Sequence, residues 1–290
     1  MNKIYIIVIS LIVIFLTSCE DSAIQDYKPE AIVEAYLIVD KPISEIRILN
    51  SQPLFQKYDE NNYLIKNANI VIYSDSDNQS FPLQYNYKEQ NGYYYPDTTY
   101  LVKPNNKYSI EIKLENGQVI TGNTVTPGRI EMITDMPKIL QFPFDTLNQK
   151  STDSIAWNPV PNINYYTINI MCLDTLNYGK YLSPATNELN RRTYVLLNRG
   201  AEHSDRKTTE ISFSTLMPSN STPVVWNAFR WFGKHFVSIY AIDINMVQWS
   251  MFSYYFPMHD NRLSSVKGGK GCFGSASVVS DTVFILKNQP

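Results

Sequence analysis

Between Lys107 and Val125 the chain alternates twice between apolar and polar residues. Tyr108, Ile110, Ile112 and Leu114 fall on one side of an extended backbone, with Ser109, Glu111 and Lys113 on the other; Asn116-Gly117 follows, and Gln118 to Val125 runs on from it. Side chains on a strand point to opposite faces with period two, whereas a helical face repeats every 3.6 residues. Asn-Gly suits a tight hairpin turn because both central residues there take positive φ. The stretch therefore demands a sheet with one buried face. The same pattern recurs upstream. Phe81, Leu83, Tyr85 and Tyr87 share a face, and Asn69 and Val71 oppose Ile70 and Ile72 within Ala68–Tyr73. Further strands are expected at Ala31–Val39, at Ile43–Leu49, and at Tyr93–Tyr95 behind the hairpin pair Asn91-Gly92.

Seven strands within about 100 residues, punctuated by turns every ten or so, predict an immunoglobulin-like or transthyretin-like sandwich over residues 29–128, closed by Pro127-Gly128. A second unit occupies 129–290. Its Ile155-Ala156-Trp157-Asn158-Pro159 followed by Tyr165–Cys172 resembles a fibronectin type III opening, in which a core Trp precedes a Tyr-rich partner strand. Tyr194–Leu197 and Ile211–Phe213 fit strands, Asn220–Pro223 reads as a loop, and Val237–Phe256 supplies the later strands with Tyr240 in the core. Pro218 and Pro223 oppose a helix across this stretch. The expected class is all-β, with two β-sandwich domains. No repeat of 20–50 residues is visible, which disfavours solenoids and propellers.

With 44% hydrophobic residues the chain can bury a core, and 25 Lys+Arg against 27 Asp+Glu give a net charge of −2. Such a balance offers no positive field for phosphate backbones, so no nucleic-acid partner is expected. Residues 1–18 read as a signal peptide: Met1-Asn2-Lys3 is basic, and Ile4–Leu16 is an apolar run too short to span a bilayer. Leu16-Thr17-Ser18-Cys19 resembles the bacterial lipobox, which makes Cys19 the lipidated residue and 19–28 a polar tether. Acyl chains would then hold the body on a membrane without a spanning helix. Glu20-Asp21 resembles the export signal of surface lipoproteins in Bacteroidota-type cells, whereas in enterobacterial sorting an Asp two places after the cysteine is an inner-membrane retention signal; the first reading is favoured, so the outer membrane and its outward face are expected.

The order of segments carries a wider resemblance. Lipobox, Ala31–Leu37, Asn67–Ile72, Gly92-Tyr93-Tyr94, Tyr108–Ile112, Thr126-Pro127 and the glycine-rich Gly268–Ser275 resemble a family of Bacteroidota lipoproteins known as domain of unknown function 4249. That resemblance implies an envelope protein encoded beside TonB-dependent outer-membrane receptors. It implies no activity and no functional residues.

Residues with chemical potential are scattered. His203, His235 and His259 lie in no zinc-like spacing, so no metal and no cofactor are expected. Cys172 and Cys272 either pair in an oxidising envelope or stay as buried small hydrophobes. Gly268-Gly269-Lys270-Gly271 lacks the Ser or Thr that follows the lysine of a phosphate loop, and reads as a glycine turn or bulge. Two aromatic clusters, around Trp226 and Trp231 and around Trp249, Tyr254 and Tyr255, offer either stacking platforms or core. Asp followed by Ser or Thr at Ser22, Thr98, Thr146, Ser154, Thr175 and Thr282 resembles the O-glycosylation sequon of Bacteroidota envelope proteins, or marks turns at which Asp precedes β-formers. The expectation is a non-catalytic accessory subunit of a TonB-dependent transport system; a stand-alone adhesion or glycan-binding lipoprotein is the alternative, and an envelope hydrolase comes third.

Overall fold

A computed structural model of the chain describes residues 27–53, 57, 59–143, 154–193, 212–255 and 263–287, with the side chains of 60 and 251–255 left out. The alternation is realised as strands. In the first half these are β1 (Ala31–Ile38), β2 (Arg47–Asn50), β3 (Asn69–Ser74), β4 (Gln79–Pro82), β5 (Gln84–Tyr85), β6 (Tyr93–Tyr94), β7 (Lys107–Lys113) and β8 (Val119–Val125). A single helical turn, α1 (Glu60–Tyr63), interrupts them. The second half carries β9 (Ile139–Gln141), β10 (Ser154–Ala156), β11 (Tyr166–Cys172), β12 (Ser212–Met217), β13 (Ser221–Pro223), β14 (Gly233–Ile242), β15 (Val266–Lys267) and β16 (Lys270–Leu286). The helix α2 (Ile244–Tyr255) stands between β14 and β15.

One sheet runs through the whole molecule. Its order is β12-β11-β14-β16-β1-β2, with β9 added to the far end of β16. The 17-residue β16 makes this possible. Its first part pairs in parallel with β1, from Ile32↔Lys270 to Ile38↔Ala276, and its second part pairs antiparallel with β14 from Ile242↔Ala276 to Gly233↔Ile285.

The two larger cores sit on the same face of that sheet. Over β1, β2 and the start of β16 lies a second sheet, β15-β8-β7-β3-β4, and between the two layers Val33, Leu37, Ile72, Tyr108, Ile110 and Phe273 are buried. Farther along, Ile168, Val237, Ile239, Val283 and Ile285 face Ile155, Trp157, Val224, Trp226 and Phe229. The cover there is the β10-β13 ladder and a 3-10 turn, Trp226–Ala228. Trp157 is fully buried and sits edge-on to Tyr166 at 5.3 Å, the pairing of Trp with a Tyr-rich strand read from the sequence.

Four features differ from the sequence expectations. Residues 266–276 belong to the first core, although they follow the second unit in the chain. The segment Val237–Phe256 is strand only to Ile242. Asp243 then caps a helix, its Oδ1 accepting the Met246 N–H at 2.9 Å, and such a cap outweighs β-propensity in the residues behind it. Tyr93–Tyr94 does form a hairpin with Gln84–Tyr85, but the loop spans residues 86–92, closed by Asn86 N–H to Gly92 O at 2.9 Å. Ser221–Pro223, read as a loop, is a short strand on β10. Tyr194–Leu197 lies outside the described residues.

Candidate functional site

The outer face of the shared sheet carries a groove. Even-numbered residues of β16 point there because odd-numbered ones fill the core, and Phe284 and Leu286 occupy positions where a solvated face would carry polar groups. Beside them Ile139 of β9 pairs with Phe284 and is 60% exposed. A loop folds over this face. Tyr178 and Tyr181 approach the Phe284 ring at 5.4 and 6.3 Å, and Leu182, with Pro184 behind a cis peptide bond, forms the opposite wall. The space between them is about 770 Å3.

The loop is held by ordinary turn chemistry. Asp174 Oδ1 accepts the N–H groups of Leu176 and Asn177, each at 2.9 Å, and Oδ2 accepts the Tyr181 hydroxyl at 3.0 Å. Burial works against the charge on Asp174, but those hydrogen bonds outweigh it and hold the carboxyl down to about 2. Asn190 Nδ2 donates to the carbonyls of Asp174 and Phe232, which ties the loop's far end to the sheet.

Between the two cores lies a polar seam. Thr124 Oγ1 is 2.6 Å from Asp243 Oδ2 and 2.7 Å from Ser275 Oγ, and Ser275 Oγ is 3.1 Å from the Val125 carbonyl. The Asp243 carboxyl is buried, and burial raises it above the usual carboxylate range. Thr124 Oγ1–H donates to the Asp243 carboxylate, and Ser275 Oγ–H donates to the Val125 carbonyl. A carboxyl raised in the folded state contributes stability that is complete below its ordinary 3.8 and is lost as pH rises through the folded value. Asp243→Asn keeps the cap acceptor and removes the cost of burying a charge, so it is expected to match or exceed the wild type at pH 7 in urea denaturation. Asp243→Ala removes the cap and leaves Thr124 without its acceptor, a loss of about 2–4 kcal/mol.

His235 is a core residue. Its Nδ1–H donates to Gly233 O at 3.0 Å, its ring meets Phe229 edge-on at 5.2 Å, and Nε2 has no partner among the described residues. Burial pulls it down to about 4 from an ordinary 6.5. The stability it contributes is full above 6.5 and is lost as pH falls toward 4, because only the unfolded chain takes up the proton in that window. The loss is about 3 kcal/mol. His235→Leu is expected to reduce the fall in stability between pH 6.5 and 4 relative to wild type, measured by chemical denaturation at each pH. His203 and His259 lie outside the described residues, among which no three His, Cys, Asp or Glu side chains gather as a metal site.

The disulfide alternative does not hold. Cys172 and Cys272 are both buried and free. Register explains why: Cys172 lies opposite His235, which lies opposite Val283, and Val283 lies eleven positions along β16 from Cys272. At about 3.3 Å per residue that is roughly 36 Å along the strand, against the few ångströms a disulfide allows. Burial pushes the two thiols up to about 11 and 12, so neither is a thiolate nucleophile at neutral pH.

The aromatic clusters resolve mostly into packing. Trp226 is buried against Phe142 and Phe229, a core role that rules it out as an open platform. Trp231 is half-buried beneath the Arg192 guanidinium at 5.6 Å, and half-buried Trp249 hydrogen-bonds the Tyr36 side chain. Tyr254 and Tyr255 are helical, with side chains outside the description. Of the sequon positions, Thr98 and Ser154 are exposed, Thr175 and Thr282 are half-buried, and Ser22, Thr146 and the lipobox Cys19 fall outside the described residues. Asp97 and Asp174 each accept a backbone N–H two residues on, which is the turn role of Asp. The groove itself was missed. Its one sequence trace is Val283-Phe284-Ile285-Leu286, an unbroken apolar run that signals a strand covered on both faces.

No curated protein sequence matches the chain. Among solved structures, the FN1–FN3 domains of chicken CNTN1 align over 88% of this chain and 67% of theirs, at 11% identity and a TM-score of 0.21. The IG1+IG2 pair of DIP-gamma aligns over 91% of this chain and 100% of its own, at 9% identity and 0.18. At such scores the all-β class rests on the strands themselves. A family model described as Domain of unknown function (DUF4249) matches residues 20–256, stopping short of the glycine-rich segment. The chain belongs to that family.

Proposed function

We propose that the protein is a lipid-anchored, non-catalytic binding subunit at the outer membrane, facing outward and serving a TonB-dependent transport system. The observation that carries the binding role is the groove on the outer face of the shared sheet. It is open and apolar-walled, and no acid, amide or histidine lines it. A surface of this kind holds a ligand or a partner side chain; it lacks the convergent titratable groups that hydrolysis needs. The anchoring half of the reading rests on the lipobox. Ala31, where β1 begins, lies twelve positions beyond Cys19, so the tether keeps the folded body within about 40 Å of the acyl chains. Confinement of that kind raises the effective concentration of the body beside a transporter in the same membrane.

The test is affinity purification of the tagged protein from its own outer membrane in mild detergent, with mass spectrometry of what is retained. A stoichiometric TonB-dependent barrel, absent from a control lipoprotein of similar abundance, is the expected result. Recovery of the lipoprotein alone from an extract that contains the barrel contradicts it. Metabolic labelling with a palmitate analogue tests the anchor separately, since Cys19→Ala should abolish incorporation.

A further inference from the structure

The groove also carries a charge pattern that specifies a ligand. Two charged residues line it, Lys138 and Lys234, and neither Asp nor Glu does. Lys138 is already neutralised: its Nζ donates to both Asp281 oxygens, at 2.7 and 2.8 Å. Lys234 is different. It is half-buried on β14, directly opposite Phe284 in the register, and its ammonium makes no hydrogen bond or ion pair among the described residues. An unpaired ammonium beside an apolar floor is incompletely solvated, and an anion brought to it gains a charge-assisted hydrogen bond in a partly water-excluded setting.

The rest of the lining fixes what that anion is attached to. The floor is hydrocarbon, from Ile139, Phe284 and Leu286, and the facing wall is Leu182, Pro184 and the Tyr181 ring. Hydroxyls of Ser183, Thr186 and Thr282 are the small polar groups in the lining that could orient a headgroup. Sugar recognition relies on amide and carboxylate side chains that bracket hydroxyls, and the lining has no Asn, Gln, Asp or Glu. A volume of about 770 Å3 lies within the ~300–1,000 Å3 common for small-molecule sites.

We infer that the groove binds a small amphipathic carboxylate, its hydrocarbon body on Ile139, Phe284 and Leu286 and its anionic head on the Lys234 ammonium. This rests on the reading of the groove as the binding surface and names the chemistry it accepts. The site would give the protein a cargo of its own in addition to a protein partner.

Octanoate and octanol serve as matched probes, since they share the chain and differ in the charged head. Calorimetric titration of the soluble body, residues 20–290, is expected to show octanoate binding at least about fivefold more tightly than octanol, with the advantage shrinking as salt is raised. Lys234→Met keeps the hydrocarbon stem and removes the charge; it should cut octanoate affinity to that of octanol and leave octanol unchanged. Ile139→Glu, at an exposed position, should weaken both. Equal affinity for the two probes, no saturable octanoate binding, or an octanoate affinity indifferent to Lys234→Met each overturns the inference. If the carboxylate fails while a transport barrel still copurifies with the lipoprotein, the accessory reading stands and only the ligand class falls.

Discussion

Gly271→Ala is expected to leave no folded protein at 37 °C, or to cost at least about 4 kcal/mol where folding is recovered. Gly271 has φ of +120° and pairs with Val33 where β16 enters the shared sheet. An alanine Cβ there would stand 2.0 Å from the Val33 carbonyl oxygen and 2.6 Å from its nitrogen, both backbone atoms that cannot swing aside. The parallel ladder would have to open at the point from which β16 serves both cores. Gly117→Ala is the control. Its φ is also positive, at +84°, but nothing lies within 4 Å of the added Cβ, so only backbone strain of about 1 kcal/mol applies. Thermal melts of the two variants should therefore differ widely although the substitution is the same.

Deletion of residues 265–290 has the second large effect. It removes β15 and β16, and with them Val266 and Phe273 from the first core and Val283 and Ile285 from the second. Residues 27–128 alone are expected to stay unfolded, with poor dispersion in amide NMR spectra and no cooperative urea transition. Addition of residues 263–278 through a flexible linker should restore both, because β1 then recovers its partner from Ile32↔Lys270 to Ile38↔Ala276. A cooperative transition of 27–128 without that segment would contradict the shared-strand architecture. The same architecture makes folding slow, since the first sandwich cannot close until residues more than 230 positions away arrive.

Strand identity was the most legible part of the sequence. Lys107–Val125 and Asn69–Ser74 follow from alternation alone, because each strand has one solvated face and the period reports directly on burial. The core position of Trp157 beside Tyr166 was legible for the same reason. The pairing of β1 with β16 was not. Alternation says which face is buried but carries no information on which distant strand lies alongside, and nothing in Ala31–Ile38 names Lys270–Ala276 as its neighbour. The helix Ile244–Tyr255 was hidden because its residues are apolar on several sides and its only start signal is Asp243. The groove was hidden because its parts come from β9, β14, β16 and the 178–186 loop, which only the fold brings together.

The functional account joins an anchor at one end of the chain to a groove built near the other. Membrane attachment explains how a body without a helix long and apolar enough to cross a bilayer, among the described residues, would remain at the envelope. The groove explains what the body would do there. The two buried thiols, His235 and Asp243 all lie outside the lining of that groove.

The most direct measurement is the outer-membrane affinity purification repeated with Ile139→Glu. Ile139 is 60% exposed, so the substitution places a charge in the groove at little cost to the fold. The account predicts an unchanged melting temperature, normal acylation, and at least a tenfold loss of the copurifying TonB-dependent barrel. Retention of the barrel at the wild-type level by a folded, acylated Ile139→Glu protein would show that the groove is not the contact surface and contradict the account.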